Sequence, residues 1–139
     1  MLKHISILSV LLLMVRFTHA QSYAAYVPEK GQLFVFPNDT VSIFSAMINH
    51  GSLGTMPGAV VNFAGPSWTN SPQASLPDES ASGHSGQGGL FRFLASPSTS
   101  RQTLYGGYSL TTGQGPAFPN LSIANPQGVQ LGDLGDLHV

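Results

Sequence analysis

Frequent turn residues are the feature of this sequence that most restricts its fold. All 16 glycines and all 10 prolines follow residue 20. Gly and Pro interrupt helices and favour turns, so few stretches of this part are long enough for a helix. Between the turns lie short runs of Val, Ile, Phe and Leu, which are typical of strands. The sequence therefore predicts an all-β protein.

Eight short apolar runs are the predicted strands. In the longest run, residues 41–48, alternation predicts one face that carries Val41, Ile43, Ser45 and Met47. The alternation is incomplete, which indicates that both faces of this run are partly covered. The predicted strands are residues 33–36, 41–48, 59–63, 90–94, 102–105, 121–123, 128–131 and 137–139.

Two segments lie outside this strand pattern. Residues 21–30 are predicted to be a lead-in to the folded region. Residues 66–89 are rich in Ser, Gly and Pro and predict a long polar loop, with Trp68 holding its start against the body of the domain.

Short strands at close spacing leave two architectures open. Val41 and Val61 lie twenty residues apart, within the range of solenoid repeats, and predict parallel pairing between successive coils. The alternative is a β-sandwich, in which consecutive strands pair antiparallel. Asn49, Asn62 and Asn125 lie beside strand ends, where asparagine side chains bond to turn backbone or to one another.

The first twenty residues are predicted to form a cleaved signal peptide. A basic start precedes an apolar run of about eleven residues, which is shorter than the roughly 20 that a membrane-spanning helix needs. Small residues precede the predicted cleavage site between Ala20 and Gln21. We therefore expect a secreted or cell-surface protein, with an N-terminal signal helix and no stable membrane span after cleavage.

Composition restricts the partners of the exported part. It carries three basic and six acidic side chains, a net charge of −3. Charged residues make up only 8% of the chain, against about 25% in ordinary domains. This excludes the basic surface that nucleic-acid binding requires. The absence of cysteine excludes a disulfide framework and favours a bacterial source.

Residues 118–131 carry the most specific pattern in the chain, FPNLSIANPQGVQL. This segment resembles the phrase F-x-N-L-x-I-x-N-x-x-G-V-x-L of large, repetitive surface proteins of Bacteroidetes-type bacteria. Residues 136–139 (DLHV) resemble the strand that follows the phrase. Residues 59–65, 89–93 and 101–107 resemble further steps of the same repeat. The resemblance implies an adhesin-like protein, associated with gliding or type IX secretion, built from right-handed parallel β-helical coils over residues 31–139.

The C-terminal end carries a further expectation. The chain ends at Val139 within a predicted strand, and an uncapped stack of coils exposes an open edge. We therefore expect residues 31–139 to be the N-terminal portion of a longer β-solenoid-like region. The missing C-terminal part of the same chain would be its first partner.

Candidate metal ligands are scattered. His50, His84 and His138 lie far apart in the sequence, so no zinc-type site is predicted. Asp133 and Asp136 are candidate calcium ligands, but such a site needs six or more oxygens. Two solvated turn aspartates are the favoured interpretation.

Signatures of catalysis are equally weak. Asp78 and Glu79 are adjacent in the polar loop, whereas glycosidases need two carboxylates placed across a substrate. No serine lies in a nucleophile-elbow pattern, and the Gly-rich residues 83–89 neither follow a strand nor open a helix. We therefore expect a protein that is not an enzyme and has no cofactor.

A structural or adhesive surface protein is the leading hypothesis, in which a β-coil scaffold displays loops. The alternative is a carbohydrate-binding β-sandwich module of a larger secreted enzyme. In either case the expected partner is an unidentified surface or polysaccharide. Trp68, Tyr105 and Tyr108 are candidates for stacking on sugars, although packing is the favoured role of such residues.

Overall fold

The computed structural model describes residues 23–77 and 87–139. These residues form eleven short strands and no helix, which confirms the all-β prediction. In the two described ranges, no helix has the length and apolarity needed to cross a membrane. The strands are β1 (Ala25–Val27), β2 (Gln32–Val35), β3 (Thr40–Ile43), β4 (Met47–Asn49), β5 (Ser52–Thr55), β6 (Val60–Phe63), β7 (Ser67–Asn70), β8 (Leu90–Phe93), β9 (Gln102–Tyr105), β10 (Leu121–Ile123) and β11 (Val129–Leu131).

The strands form three parallel sheets. The first sheet has the order β1-β4-β7-β9-β11, the second contains β2 and β5, and the third has the order β10-β8-β6-β3. Each pairing between these strands is parallel. The antiparallel sandwich considered as an alternative is therefore wrong, because its consecutive strands would pair in opposite directions.

The chain passes through the three sheets in a fixed order. β1, β2 and β3 lie in the first, second and third sheets, and β4, β5 and β6 repeat that order. After β7 in the first sheet, Ser75 forms a parallel bridge with Ser52 of the second sheet, and β8 then lies in the third. Parallel neighbours are therefore supplied by successive passes of the chain, since two adjacent segments joined by a tight turn can only pair antiparallel.

The register of the early passes matches the predicted spacing. Val41 pairs with Val61, twenty residues further along the chain. Val60 pairs with Leu90, and this offset of thirty residues reflects the longer connection between β7 and β8. The inward positions of each strand therefore stack on those of the next pass even where connection length varies.

The prediction of one strand over residues 41–48 is wrong. The chain leaves the third sheet after Ile43 and enters the first sheet at Met47. Between them Phe44 points to solvent, while Ile43 and Met47 are both buried. The run is therefore divided between two sheets by a bend at residues 44–46, although Val41, Ile43 and Met47 of the predicted face still lie in or against the core.

Four further segments differ from the sequence predictions. The lead-in contains β1, and the turn-rich residues after Gly51 contain β5. The segment assigned to a polar loop contains β7 at its start. Residues 137–139 form no strand; the nearest pairing is an isolated bridge between Asp136 and Tyr108. The sequences of these segments are short or polar. β1, β5 and β7 form strands because neighbouring passes of the chain supply their hydrogen-bonding partners.

Aromatic side chains fill the core between the first and third sheets. The Trp68 ring lies edge-on to Phe63 and Phe91, at centroid distances of 5.3 and 5.7 Å. Phe118, from the connection before β10, closes the cluster 5.9 Å from Trp68. Such edge-to-face pairs are favourable beyond the area they bury. Trp68 is therefore a core residue and is not available for stacking on a sugar.

The last pass of the stack exposes core-facing apolar side chains. Leu131 of β11 pairs with Leu104 of β9, yet Leu131 is 56% exposed and Leu104 only 1%. Ile123 of β10 is 45% exposed, whereas its partner Phe93 is fully buried. The last pass therefore carries the inward pattern of the core without a further layer over it.

Candidate functional site: a polar cleft at stacked turns

A polar cleft of about 270 Å³ lies where successive turns stack on one another. These turns follow β1, β4 and β7 of the first sheet and lead towards the second sheet. A depression of about 360 Å³ adjoins it and shares Glu29, His50 and Gln73. We call this continuous surface the turn cleft; its polar side chains include Glu29, Lys30, Gln32, His50, Ser52 and Gln73.

Backbone hydrogen bonds between the turns form the floor of the turn cleft. The Ser52 N–H donates to the Gly31 carbonyl, and the Ser75 N–H donates to the Gly51 carbonyl, both at 2.9 Å. Gly51 fits between the passes only because it lacks a side chain, since a Cβ there would meet the carbonyl oxygens of Pro28 and Gly31. The floor is therefore fixed before any ligand arrives.

A buried asparagine ties these turns together from behind. The Asn49 Oδ1 accepts a hydrogen bond from the Gly51 N–H at 3.1 Å. Its Nδ2 donates to the Asn70 Oδ1 at 3.3 Å, so Asn49 connects the turns after β4 and β7. Because both asparagines are fully buried, these bonds replace part of the water contacts that the side chains lose on folding, while the Asn70 Nδ2 has no hydrogen-bond partner among the described residues.

The rim beside the turn cleft is aromatic, because Tyr26 does not line the cleft itself but contacts the lining residue His50. The Tyr26 and His50 rings meet edge to face, with centroids 5.6 Å apart. Tyr26 remains 57% exposed, so its ring is braced by His50 while much of its surface meets solvent. The side chains below this rim offer one carboxylate, one ammonium group, two amides and hydroxyl groups. The cleft can therefore donate and accept hydrogen bonds, and its adjacent Glu29 and Lys30 charges oppose each other.

The candidate metal ligands do not come together in the described residues. In the described ranges, no group of three or more His, Asp or Glu residues is placed to hold a metal ion. His138 instead stacks on Tyr108 at a centroid distance of 4.3 Å. Asp136 accepts a hydrogen bond from the Leu110 N–H through Oδ2, and Asp133 is exposed. Asp133 thus lies in a bend, and Asp136 forms the isolated bridge with Tyr108.

Several predicted positions lie outside the described residues. They are the cleavage site at Ala20 and Gln21, the acidic pair Asp78 and Glu79, and His84. Of the sugar-stacking candidates inside the described ranges, Tyr105 lies against Gly132 of the next pass and Tyr108 against His138.

The hydrogen-bonding role predicted for the strand-end asparagines is only partly correct. Asn125 donates from Nδ2 to the Gln102 Oε1 at 3.2 Å and accepts from the Gln127 N–H, as expected for a ladder and turn residue. Asn62 differs, because its Oδ1 is buried without a hydrogen-bond partner among the described residues. Asn70 was missed, since the segment around it was assigned to a loop.

The residues of the turn cleft were also missed. Tyr26 and Glu29 belong to the segment taken as a lead-in, and Gln73 belongs to the segment taken as a polar loop. One signal for the cleft was present: the same offset of about twenty residues that joins Val41 to Val61 also brings Tyr26 beside Ile48 and hence near His50.

Comparison of the chain with protein-family models, with curated proteins and with solved structures finds no match.

Proposed function

We propose that this chain is a non-catalytic, exported surface protein with a structural or adhesive role. Its strands form right-handed, solenoid-like coils, and the turns between them are the displayed surface. This assignment includes the relationship to repetitive Bacteroidetes-type surface proteins that residues 118–131 resemble.

The observation that carries this proposal is the repeated order in which the chain visits its three parallel sheets. Successive passes that pair in parallel bury one continuous core and leave turns such as those of the turn cleft at the surface. Such a scaffold tolerates connections of different length, as the offsets of twenty and thirty residues illustrate. It therefore suits a protein whose role is to present surface residues.

Export through a signal peptide is the second part of the proposal. Residues 1–20 have the basic start, apolar run and small residues before Gln21 that a secretory signal requires. A stack stabilised by ladders and apolar rows needs no disulfide, which agrees with the absence of cysteine.

The third part concerns the partner of the last pass. We propose that the edge formed by β10 and β11 is covered by further passes contributed by a C-terminal part of the same protein. The exposed Ile123 and Leu131 support this, because they continue rows that are buried in the preceding pass. An uncovered edge of this kind also promotes aggregation, because its strands can pair with those of another chain.

Export and display are tested by producing the full chain in a Gram-negative bacterium. We expect an exported product that starts at Gln21 by N-terminal sequencing, and retention of surface-displaying cells on polysaccharide-coated surfaces. The control lacks residues 1–20 and should remain inside the cell. Intracellular retention of the full chain, or cells that attach no better than the control, would contradict the proposal.

The parallel pairing of the coils is tested separately by introducing pairs of cysteines, which is simple because the chain contains no other cysteine. Ser42 and Asn62 are register partners, so S42C with N62C should form a disulfide readily. The matched control, S42C with S122C, places the thiols on the outer strands of the four-stranded third sheet and should remain reduced. Equal oxidation of both pairs would reject the parallel register.

A further inference from the structure

We propose that the turn cleft is a binding site for neutral carbohydrate. This rests on the proposed adhesive function and names the ligand class of that function. The carrying observation is that Glu29, His50 and Gln73 line one polar cleft and that an exposed aromatic ring, Tyr26, lies beside it in contact with His50.

The polar groups match a ligand that carries many hydroxyls. Each hydroxyl both donates and accepts hydrogen bonds. The Glu29 carboxylate accepts, while the Gln32 and Gln73 amides and the Ser52 hydroxyl do both. An apolar ligand would leave these groups without partners, at a cost in free energy for each group that is desolvated.

The aromatic rim is complementary to the apolar part of a sugar. A pyranose ring has an apolar face of C–H groups, which packs against the face of an aromatic side chain. Tyr26 is suited to this because its body is apolar and its tip is polar. Its edge contact with His50 restricts the ring, so less side-chain freedom is lost on binding.

The charge and the size of the cleft further restrict the class of ligand that it can bind. The opposed charges of Glu29 and Lys30 give the cleft no strong preference for either sign, which favours a neutral sugar over an acidic one. The two parts of the cleft, about 270 and 360 Å³, each lie near the lower end of the roughly 300–1,000 Å³ of sites for drug-sized molecules. The cleft therefore accommodates one or two sugar rings, with any longer chain extending over the surface.

The test measures binding of neutral oligosaccharides to the exported full chain. The probes are gluco-, manno-, xylo- and galacto-oligosaccharides, titrated by calorimetry and by NMR. We expect at least one series to bind. Tyr26→Ala and Gln73→Ala should each weaken that binding about fivefold to tenfold, as the loss of a stacking contact or of a hydrogen bond to ligand predicts.

Phe44→Ala is the matched control, because Phe44 is also an exposed aromatic residue but, unlike Tyr26, makes no ring contact with the lining residue His50. Its affinity should equal that of the unaltered chain, and thermal unfolding should show that all three variants fold. Absence of binding to every neutral series would overturn the inference. So would binding that Tyr26→Ala and Gln73→Ala leave unchanged, or binding restricted to acidic sugars and abolished by salt.

These results are separable from the test of the proposed function. If cells displaying the Tyr26→Ala chain still attach as well as the parent, the adhesive function stands and the cleft is not its site. If cells displaying the unaltered chain fail to attach while the purified chain binds sugar, the carbohydrate site stands and the adhesive role fails.

Discussion

The indole N–H of Trp68 donates a hydrogen bond to the Oδ1 of Asn70 at 3.0 Å, and both side chains are fully buried. The two residues lie on the same strand and on the same inward face. The same Oδ1 also accepts from the Asn49 Nδ2. One amide oxygen thus satisfies the polar end of the largest core residue and joins two passes of the chain.

Asn70→Ala is therefore expected to destabilise the protein by about 2–4 kcal/mol, because it leaves two buried donors without this acceptor. The free energy of unfolding is measured in urea with Trp68 fluorescence as the signal. Thr69→Ala is the control: its side chain lies on the opposite face of the strand, and a change within about 0.5 kcal/mol is expected. Equal destabilisation by the two variants would show that the buried bond contributes nothing.

Gln102→Glu is expected to make stability depend on pH. The Gln102 Nε2 donates to the Gly65 carbonyl at 2.9 Å, and the side chain is fully buried. A carboxyl group here is favoured when protonated, because its O–H can replace that donor, so burial raises its pKa in the folded state above about 4.3. The folded state then binds the proton more tightly than the unfolded state, so stability falls as pH rises from about 4.3 through the folded pKa.

The control for this pH effect is Gln130→Glu on the exposed face of β11. Its stability should follow the pH dependence of the parent. The free energy of unfolding in urea is measured for the parent and both variants between pH 4 and pH 8. A difference between Gln102→Glu and the parent that does not change over this range would contradict the assignment.

Gly65→Ala and Gly54→Ala should differ in their cost to stability, because different groups lie beside these two glycines. A Cβ on Gly65 would meet the backbone oxygen of Ser45, which cannot move without shifting the preceding pass, whereas a Cβ on Gly54 would meet the ring of Phe34. Phe34 is 44% exposed and can turn away. We expect Gly65→Ala to cost about 3 kcal/mol and Gly54→Ala less than about 1 kcal/mol, measured as changes in the free energy of unfolding.

Phe34→Ala provides the check on that contrast. In the Phe34→Ala background, Gly54→Ala should cost nothing further, because the ring that the new methyl group meets has been removed. A penalty for Gly54→Ala that survives the loss of Phe34 would show that its cost comes from the backbone instead.

Leu104 and Leu131 form a matched pair for the uncovered last pass. They are register partners with the same side chain, but only Leu104 is buried. Leu104→Ala should cost about 2–5 kcal/mol and Leu131→Ala less than about 1 kcal/mol in urea unfolding. A large cost for Leu131→Ala would indicate that this edge is already covered, for example by a second copy, and would also appear as a dependence of stability on protein concentration.

The sequence by itself determined the class of the fold and much of its strand content. Turn residues that interrupt short apolar runs exclude long helices, and the cores of β2, β6, β8, β9, β10 and β11 follow from local composition. The twenty-residue spacing of Val41 and Val61 also predicted their parallel pairing. These features depend on neighbours in the sequence or on one simple offset.

Only the tertiary structure decided which segments share a sheet and which surface they create. The bend at Phe44 depends on the neighbouring passes, because a side chain is placed inward or outward by what lies above and below it. The turn cleft is the strongest case. Its residues come from three turns that lie about twenty residues apart, so Glu29, His50 and Gln73 become neighbours only when the passes stack.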